Sequence, residues 1–215
     1  IIFMEKSFLS IETSLNRIFL VLHIKDNLIS NSKILENSIE VEINQMFDQI
    51  LQQAQANFSE LDYIMVSLGP GSYTGTRVGL AAAKAIAVSI NKPIFGYTNF
   101  SAIYNQGIIE SLIKSNTNTG IIIKASKYDA YYQEIKNNFF SKQKVLSIND
   151  LNSDSLICER NLGNYYKIEE IKNYYFCLPK KESILKIFLK YLENENNYKD
   201  KNLEPLYIKG HYAEK

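Results

Sequence analysis

The chain has no tryptophan, only two histidines, two cysteines and three arginines, and almost no net charge, and these shortages each remove a class of function. Cys158 and Cys177 stand nineteen residues apart with no Cys-x-x-Cys pair and no histidine cluster beside them. That spacing supports neither a zinc site nor a disulfide framework, and it fits a reducing compartment, so a cytoplasmic location is expected. His23 and His211 are far apart and lack His-Glu-x-x-His or His-x-x-x-His spacing, which leaves a metalloprotease without ligands. Ser72 sits in Gly-Pro-Gly-Ser-Tyr-Thr-Gly rather than in a Gly-x-Ser-x-Gly elbow, and neither histidine is placed as its base. The 24 basic and 23 acidic side chains leave a formal charge of +1, too little for a global field that would draw RNA or an anionic membrane. Any RNA contact would have to be local or shared. Five lysines against Asp129 and Glu134 between Lys124 and Lys144 read as a solvated face. The longest nearly apolar run, Val78 to Ile90, has thirteen residues and contains Lys84, too short for a bilayer. Ile1 to Lys6 lacks the basic start and long apolar stretch of a signal peptide, and Met4 is a candidate start.

What is present is an ordinary globular balance, 46% hydrophobic and 22% charged over 215 residues, enough for one or two cores. Its most informative stretch is Gly69-Pro70-Gly71-Ser72-Tyr73-Thr74-Gly75-Thr76-Arg77, which joins an apolar run (Tyr63 to Leu68) to an alanine-rich one (Val78 to Ile90). Glycines, a proline and hydroxyl side chains between a buried strand and a helix make a tight turn whose N–H groups are left to face a ligand or a partner. The turn is not a complete phosphate cradle. A Walker A loop has glycine where Thr74 stands and then Lys-Ser or Lys-Thr, whereas here Gly75 and then Thr76-Arg77 follow, and the dinucleotide fingerprint also fails at Thr74. A plain strand-to-helix turn is the competing reading. Lysine outnumbers arginine twenty-one to three, so Arg77 beside the turn hints at a planar, bidentate contact that an ammonium would not make.

Ser7 to Thr13, Arg17 to Ile24 and Leu28 to Leu35 read as three antiparallel strands, the second pair joined at Lys25-Asp26-Asn27. Val41 to Phe58 has the spacing of an amphipathic helix, and Tyr63 to Leu68 that of a strand covered on both faces. For the helix from Thr76 to Ile90, apolar residues cover a sector of roughly 200°, twice what one sheet contact needs, with Arg77 and Lys84 marking the wet side. Small residues along it allow a second helix to approach closely. That helix is either Val41 to Phe58 of the same chain or an element of a partner. Asn91-Lys92-Pro93 ends the helix, Ile94 to Tyr97 reads as a strand and Ser101 to Ile113 as a helix, closing a first unit. Strands at Gly120 to Lys124, Ala130 to Ile135 and Phe139 to Leu146 then repeat the order coarsely, with a helix at Ser183 to Leu192 and a strand or tail at Leu206 to Ile208. Asp150 to Phe176 is not assigned. Pattern alone gives an α/β chain with a possible duplication.

The string Gly69 to Ala87 resembles the signature of the TsaB (YeaZ) family, and Phe8-Leu9-Ser10-Ile11-Glu12-Thr13-Ser14 resembles its opening strand, where Asp is commoner than Glu12. The likeness runs from about Ser7 to Ile135. It implies the actin-like ATPase fold in two similar subdomains, here 7–113 and 120–208. It also implies a non-catalytic scaffold that pairs with TsaD and TsaE proteins in threonylcarbamoyl transfer to a tRNA adenosine, meeting tRNA only through the complex and no membrane. On that reading Met46, Ile50, Gly79, Ala82, Ala83 and Ile86 form the partner interface, or a homodimer interface when the chain is alone. The chain would need no cofactor of its own, with ATP or ADP and magnesium held at a shared interface. Gly69, Gly71, Ser72, Tyr73, Thr74, Gly75, Arg77, Glu12 and Thr13 are the candidate nucleotide contacts. The alternative is a self-sufficient ATP-dependent kinase or hydrolase, against which Leu15 and Asn16 put no glycine in the first hairpin to approach a phosphate. A histidine usual in the family is missing near Leu35-Glu36-Asn37-Ser38, and an aspartate and arginine near Lys124-Ala125-Ser126.

Overall fold

The computed structural model describes residues 6–35, 38–147, 155–158, 174–194 and 203–208. It divides into two units, Ile1–Thr98 with Ile184–Leu206, and Asn99–Ser183 with Tyr207–Lys215. In the first, β1 (Phe8–Glu12), β2 (Arg17–Ile24), β3 (Asn27–Ile34), β4 (Tyr63–Ser67) and β5 (Ile94–Tyr97) form one sheet in the order β3-β2-β1-β4-β5. β1 pairs antiparallel with β2 and parallel with β4. The turn between β2 and β3 uses Lys25 and Asp26 at positive φ, the two-residue geometry whose twist matches the strands it joins. Asn16 takes positive φ in the β1–β2 loop, so that hairpin closes without the glycine it lacks.

Two helices, α1 (Ile39–Ala54) and α2 (Tyr73–Ile90), lie on one face of this sheet and touch each other. Leu9, Ile11, Leu20, Ile64 and Val66 meet Ile43, Met46, Ile50, Leu80 and Ala83 in a single core. The opposite face is aromatic. Phe188 of α4 (Lys181–Glu193) packs on Phe8 at 4.4 Å and on Tyr63 at 5.5 Å between ring centroids, and Tyr191 stacks on Phe95 at 3.6 Å. With both faces covered, every residue of β4 is buried, as its unbroken apolar run implies.

The second unit repeats the plan. β6 (Thr119–Lys124) pairs antiparallel with β7 (Asp129–Lys136) and parallel with β10 (Ser155–Cys158), which pairs parallel with β11 (Tyr174–Phe176). β8 (Phe139–Phe140) and β9 (Lys144–Ser147) both pair antiparallel with β7, so the expected strand from Phe139 to Leu146 is broken in two. The antiparallel-antiparallel-parallel-parallel series of the first sheet recurs, and two mixed sheets with flanking helices give the actin-like architecture. β10 and β11 are the strands that the sequence left unassigned. Leu206 to Ile208 forms no strand, although the Leu206 N–H donates to the Leu68 carbonyl at 2.7 Å.

The division differs from 7–113 and 120–208 because two helices change sides. α3 (Asn99–Ile109) packs on β6 and β10, and buries Phe100, Ala102, Ile103 and Tyr104. α4 from Ile184 onward belongs with the first sheet. Chain order suggested that each helix closes the unit it follows, whereas burial of aromatic surface decides the matter. Truncating Phe188, which has no exposed surface, to alanine should cost about 3–5 kcal/mol in denaturant unfolding. A loss under 1 kcal/mol would show that α4 does not cover this sheet.

Cys158 and Cys177 are both buried, and neither is in a disulfide. Burial pushes the Cys177 thiol up to about 12, with the Glu110 carboxylate, 4.0 Å from the sulfur, adding to the rise. At pH 8 neither cysteine should react with a disulfide reagent within minutes in the native protein, and both should react in denaturant. A fast-reacting thiol in the native protein would contradict this packing.

Candidate functional site

β1 ends at Glu12 and β4 at Ser67, side by side in the sheet, and the glycine-rich turn leads from β4 into α2 directly against the loop that leaves β1. The helix begins at Tyr73, three residues before the expected start, so Tyr73, Thr74 and Gly75 are its first turn rather than part of a loop. Ser72 is the N-cap: its hydroxyl accepts the Gly75 N–H at 3.2 Å. The Thr76 N–H and hydroxyl both donate to the Ser72 carbonyl, at 2.9 and 2.8 Å. Gly69 has φ of +89°, a conformation that side chains resist, and its N–H donates to the Ser67 hydroxyl at 3.1 Å.

The remaining glycines serve close approach. A methyl group at Gly75 would overlap the Thr13 carbonyl, one at Gly71 the Ser14 carbonyl, and one at Gly79 the Thr13 hydroxyl. The two segments are bonded as well as packed: the Thr13 hydroxyl donates to the Gly75 carbonyl at 2.6 Å, and the Ser72 N–H to the Ser14 carbonyl at 2.8 Å. The turn's N–H groups at Gly69, Ser72, Gly75 and Thr76 are therefore engaged by the chain itself. Three of these four donors are taken within the strand–turn–helix segment and the Ser72 N–H by the β1–β2 loop, which narrows the set that could face a ligand or a partner.

Glu12, only 1% exposed, is turned back on that loop. Its Oε1 accepts the Ser14 N–H at 2.6 Å, the Ser14 hydroxyl at 2.9 Å and the Leu15 N–H at 2.9 Å, while the Arg17 Nε lies 3.4 Å from Oε2. The Arg17 guanidinium also sits 4.2 Å from the Phe19 ring centroid. Arg17 and Ser14 were not singled out from the sequence, although an arginine five residues after a strand acid, in so arginine-poor a chain, was a usable signal. With the Glu12 carboxylate and the Thr13 hydroxyl both committed, these two residues do not fit the handling of a magnesium-bound phosphate. Among the described residues no group of three or more His, Cys, Asp or Glu is placed to hold a metal ion. His23 is buried, with Nδ1 2.8 Å from the Lys6 carbonyl oxygen. His211 lies outside the described residues.

α2 keeps an exposed stripe, but not the expected one. Met46, Ile50, Gly79 and Ala83 are buried in the chain's own core and cannot meet a partner, while Ala82 and Ile86 are half-buried against it. The uncovered side carries Tyr73, Arg77, Ala81, Lys84, Ala85 and Val88, with Tyr73 57% and Val88 81% exposed. The phase was legible from Arg77 and Lys84, seven residues apart: Ala81, Ala85 and Val88 share their face. Arg77 lies 3.9 Å from the Tyr73 ring centroid, a cation–π pair one helical turn apart that holds the guanidinium plane at the surface.

A family model described as TsaD: tRNA N6-adenosine threonylcarbamoyltransferase matches residues 33–150, more than half of the chain. The chain is similar to the tRNA threonylcarbamoyladenosine biosynthesis protein TsaB of Buchnera aphidicola subsp. Acyrthosiphon pisum (strain APS), 25% identical over 206 residues, which span 90% of this chain and 93% of that protein. The protein of the same name from Buchnera aphidicola subsp. Schizaphis graminum (strain Sg) is 28% identical over 100 residues, and the match spans 46% of this chain and 48% of the relative, about half its length. Among solved structures, YeaZ from Pseudomonas aeruginosa superposes with a TM-score of 0.76 at 15% identity, covering 94% of this chain and 100% of that one. At that identity the likeness is one of fold.

Gly75→Ala should lower stability by about 2 kcal/mol or more, since the added methyl must push the Thr13 carbonyl away. Ala85→Ser, on the exposed face of the same helix, should change it by less than about 0.5 kcal/mol in the same denaturant titration. Equal effects would mean that the loop and the helix are not in contact.

Proposed function

This chain belongs to the TsaB (YeaZ) family, and we propose that it acts in tRNA threonylcarbamoyladenosine biosynthesis as a scaffold subunit that pairs with a TsaD-type protein through the exposed stripe of α2. The observation that carries the reading is a helix face with small and apolar residues that its own unit leaves uncovered, beside a turn whose Gly69, Ser72, Gly75 and Thr76 N–H groups are engaged by the chain itself. Ala81 and Ala85 keep that face low, so a partner helix can approach closely, and Val88 and Tyr73 supply apolar contact at either end. Arg77, braced on Tyr73, offers a planar donor edge suited to a partner carboxylate. An 18-residue helix is about 27 Å long, so two such helices side by side are a natural centre for an interface of roughly 1,000 Å² or more.

In this role the chain contributes surface rather than reacting groups. The TsaE-type protein and tRNA engage the assembly, and any ATP or ADP with magnesium is held with residues of the partners. A second copy of the chain occupies the stripe when the TsaD-type protein is absent. A kinase or hydrolase reading has no comparable support, since Glu12 and Thr13 are committed to the loop and the helix.

The double substitution Ala85→Glu with Val88→Glu should weaken capture of a TsaD-type protein at least tenfold, with the melting temperature held within about 2 °C of the native value. Ala83→Glu, which places a charge at a fully buried position, should instead unfold the chain. Undiminished capture by the double variant, or tRNA modification by a TsaD and TsaE pair lacking this chain, refutes the proposal.

A further inference from the structure

We propose that residues 14–17 form an oxyanion-binding nest whose resident ligand is the chain's own Glu12 carboxylate, so that the position an external phosphate or carboxylate would take is filled from within. Three donors, the Ser14 N–H, the Ser14 hydroxyl and the Leu15 N–H, converge on one Glu12 oxygen at 2.6 to 2.9 Å. The Arg17 guanidinium stands beside the other oxygen at 3.4 Å. Successive backbone N–H groups turned to one point, backed by a guanidinium, are the general chemistry of oxyanion recognition. A buried carboxylate is tolerated only where such donors and a counter-charge replace its hydration, and Glu12 has both.

The nest is closed from two directions. Within the loop, Glu12 occupies its donors. From the turn and the start of α2, Gly71 and Gly75 admit the Ser14 and Thr13 carbonyls so closely that no side chain fits between, and the Ser72 N–H and Gly75 carbonyl hold the loop by hydrogen bonds. Opening the nest requires Glu12 to leave, and a ligand larger than its carboxylate requires the loop to part from the helix as well. The expected acidic residue for magnesium and phosphate thus has the opposite task, holding the site shut. This inference does not depend on pairing with a TsaD-type protein.

The test compares the native chain with Glu12→Ala and Glu12→Gln. In amide-resolved NMR titrations, inorganic phosphate and magnesium-ATP should leave the native Ser14 and Leu15 resonances without a saturable shift. Glu12→Ala should melt roughly 5–10 °C below native, and formate should raise its melting temperature saturably beyond sodium chloride of equal ionic strength. Glu12→Gln, which keeps a neutral acceptor in place, should melt below native and show no response to formate. A saturable native shift with either ligand overturns the proposal, as does a Glu12→Ala protein whose melting temperature follows formate and chloride alike. If Glu12→Ala fails to fold, the native titration and Glu12→Gln decide: a Glu12→Gln protein as stable as native removes the charge from the account.

Discussion

The first unit depends on one close backbone contact: the Thr13 and Ser14 carbonyls pressed against Gly71 and Gly75. Nothing larger than hydrogen fits at those glycines, so the contact sets how near α2 can come to β1. That distance in turn lets Leu80 and Ala83 reach Leu9, Ile11 and Val66 in the core. The hydrogen bonds across the contact are the means by which both segments satisfy polar groups that would otherwise be buried alone. Once they are made, the N–H groups of Gly69, Ser72, Gly75 and Thr76 serve cohesion.

That constraint explains why the turn looks like a ligand-binding loop in the sequence. Glycines near a helix start are needed wherever another atom must come close to backbone, whether the atom belongs to a phosphate or to a neighbouring carbonyl. Residue types at that spacing report the close approach but not what approaches. The missing lysine was the available sign against a Walker-type loop, and the atoms that come close to Gly71 and Gly75 are the Ser14 and Thr13 carbonyls. Glu12 carried the same ambiguity. A strand-end acid followed by hydroxyl residues suits a metal-bound phosphate or a capped loop, and only the direction of its carboxylate separates the two.

The local elements were readable because each rests on short-range pattern: the unbroken apolar run of β4, the turn at Lys25 and Asp26, and the stop of α2 at Asn91. The partition of helices between units was not, since it rests on which distant aromatic surface needs cover. Phe8, Tyr63 and Phe95 lie on three strands far apart in the chain, and together they make a surface that Phe188 and Tyr191 fill. β10 and β11 were missed for a related reason. They are four and three residues long, and β10 rests on β6 and β11 on β10 rather than on a period of their own.

The partner face shows how a correct quantity yielded wrong residues. α2 has more apolar and small surface than a sheet requires, as the sequence indicated, but the surplus and the core lie at different phases of the same helix. Counting apolar residues measures the width of the stripe, and Ala83 and Gly79 fall at its centre, where the molecule's own sheet sits. The surplus must lie at the margin, next to the charges, because a core claims the most apolar arc first. Arg77 and Lys84 therefore mark the rim of the uncovered surface rather than its opposite, and Ala81, Ala85 and Val88 beside them are the residues on which a partner helix would rest.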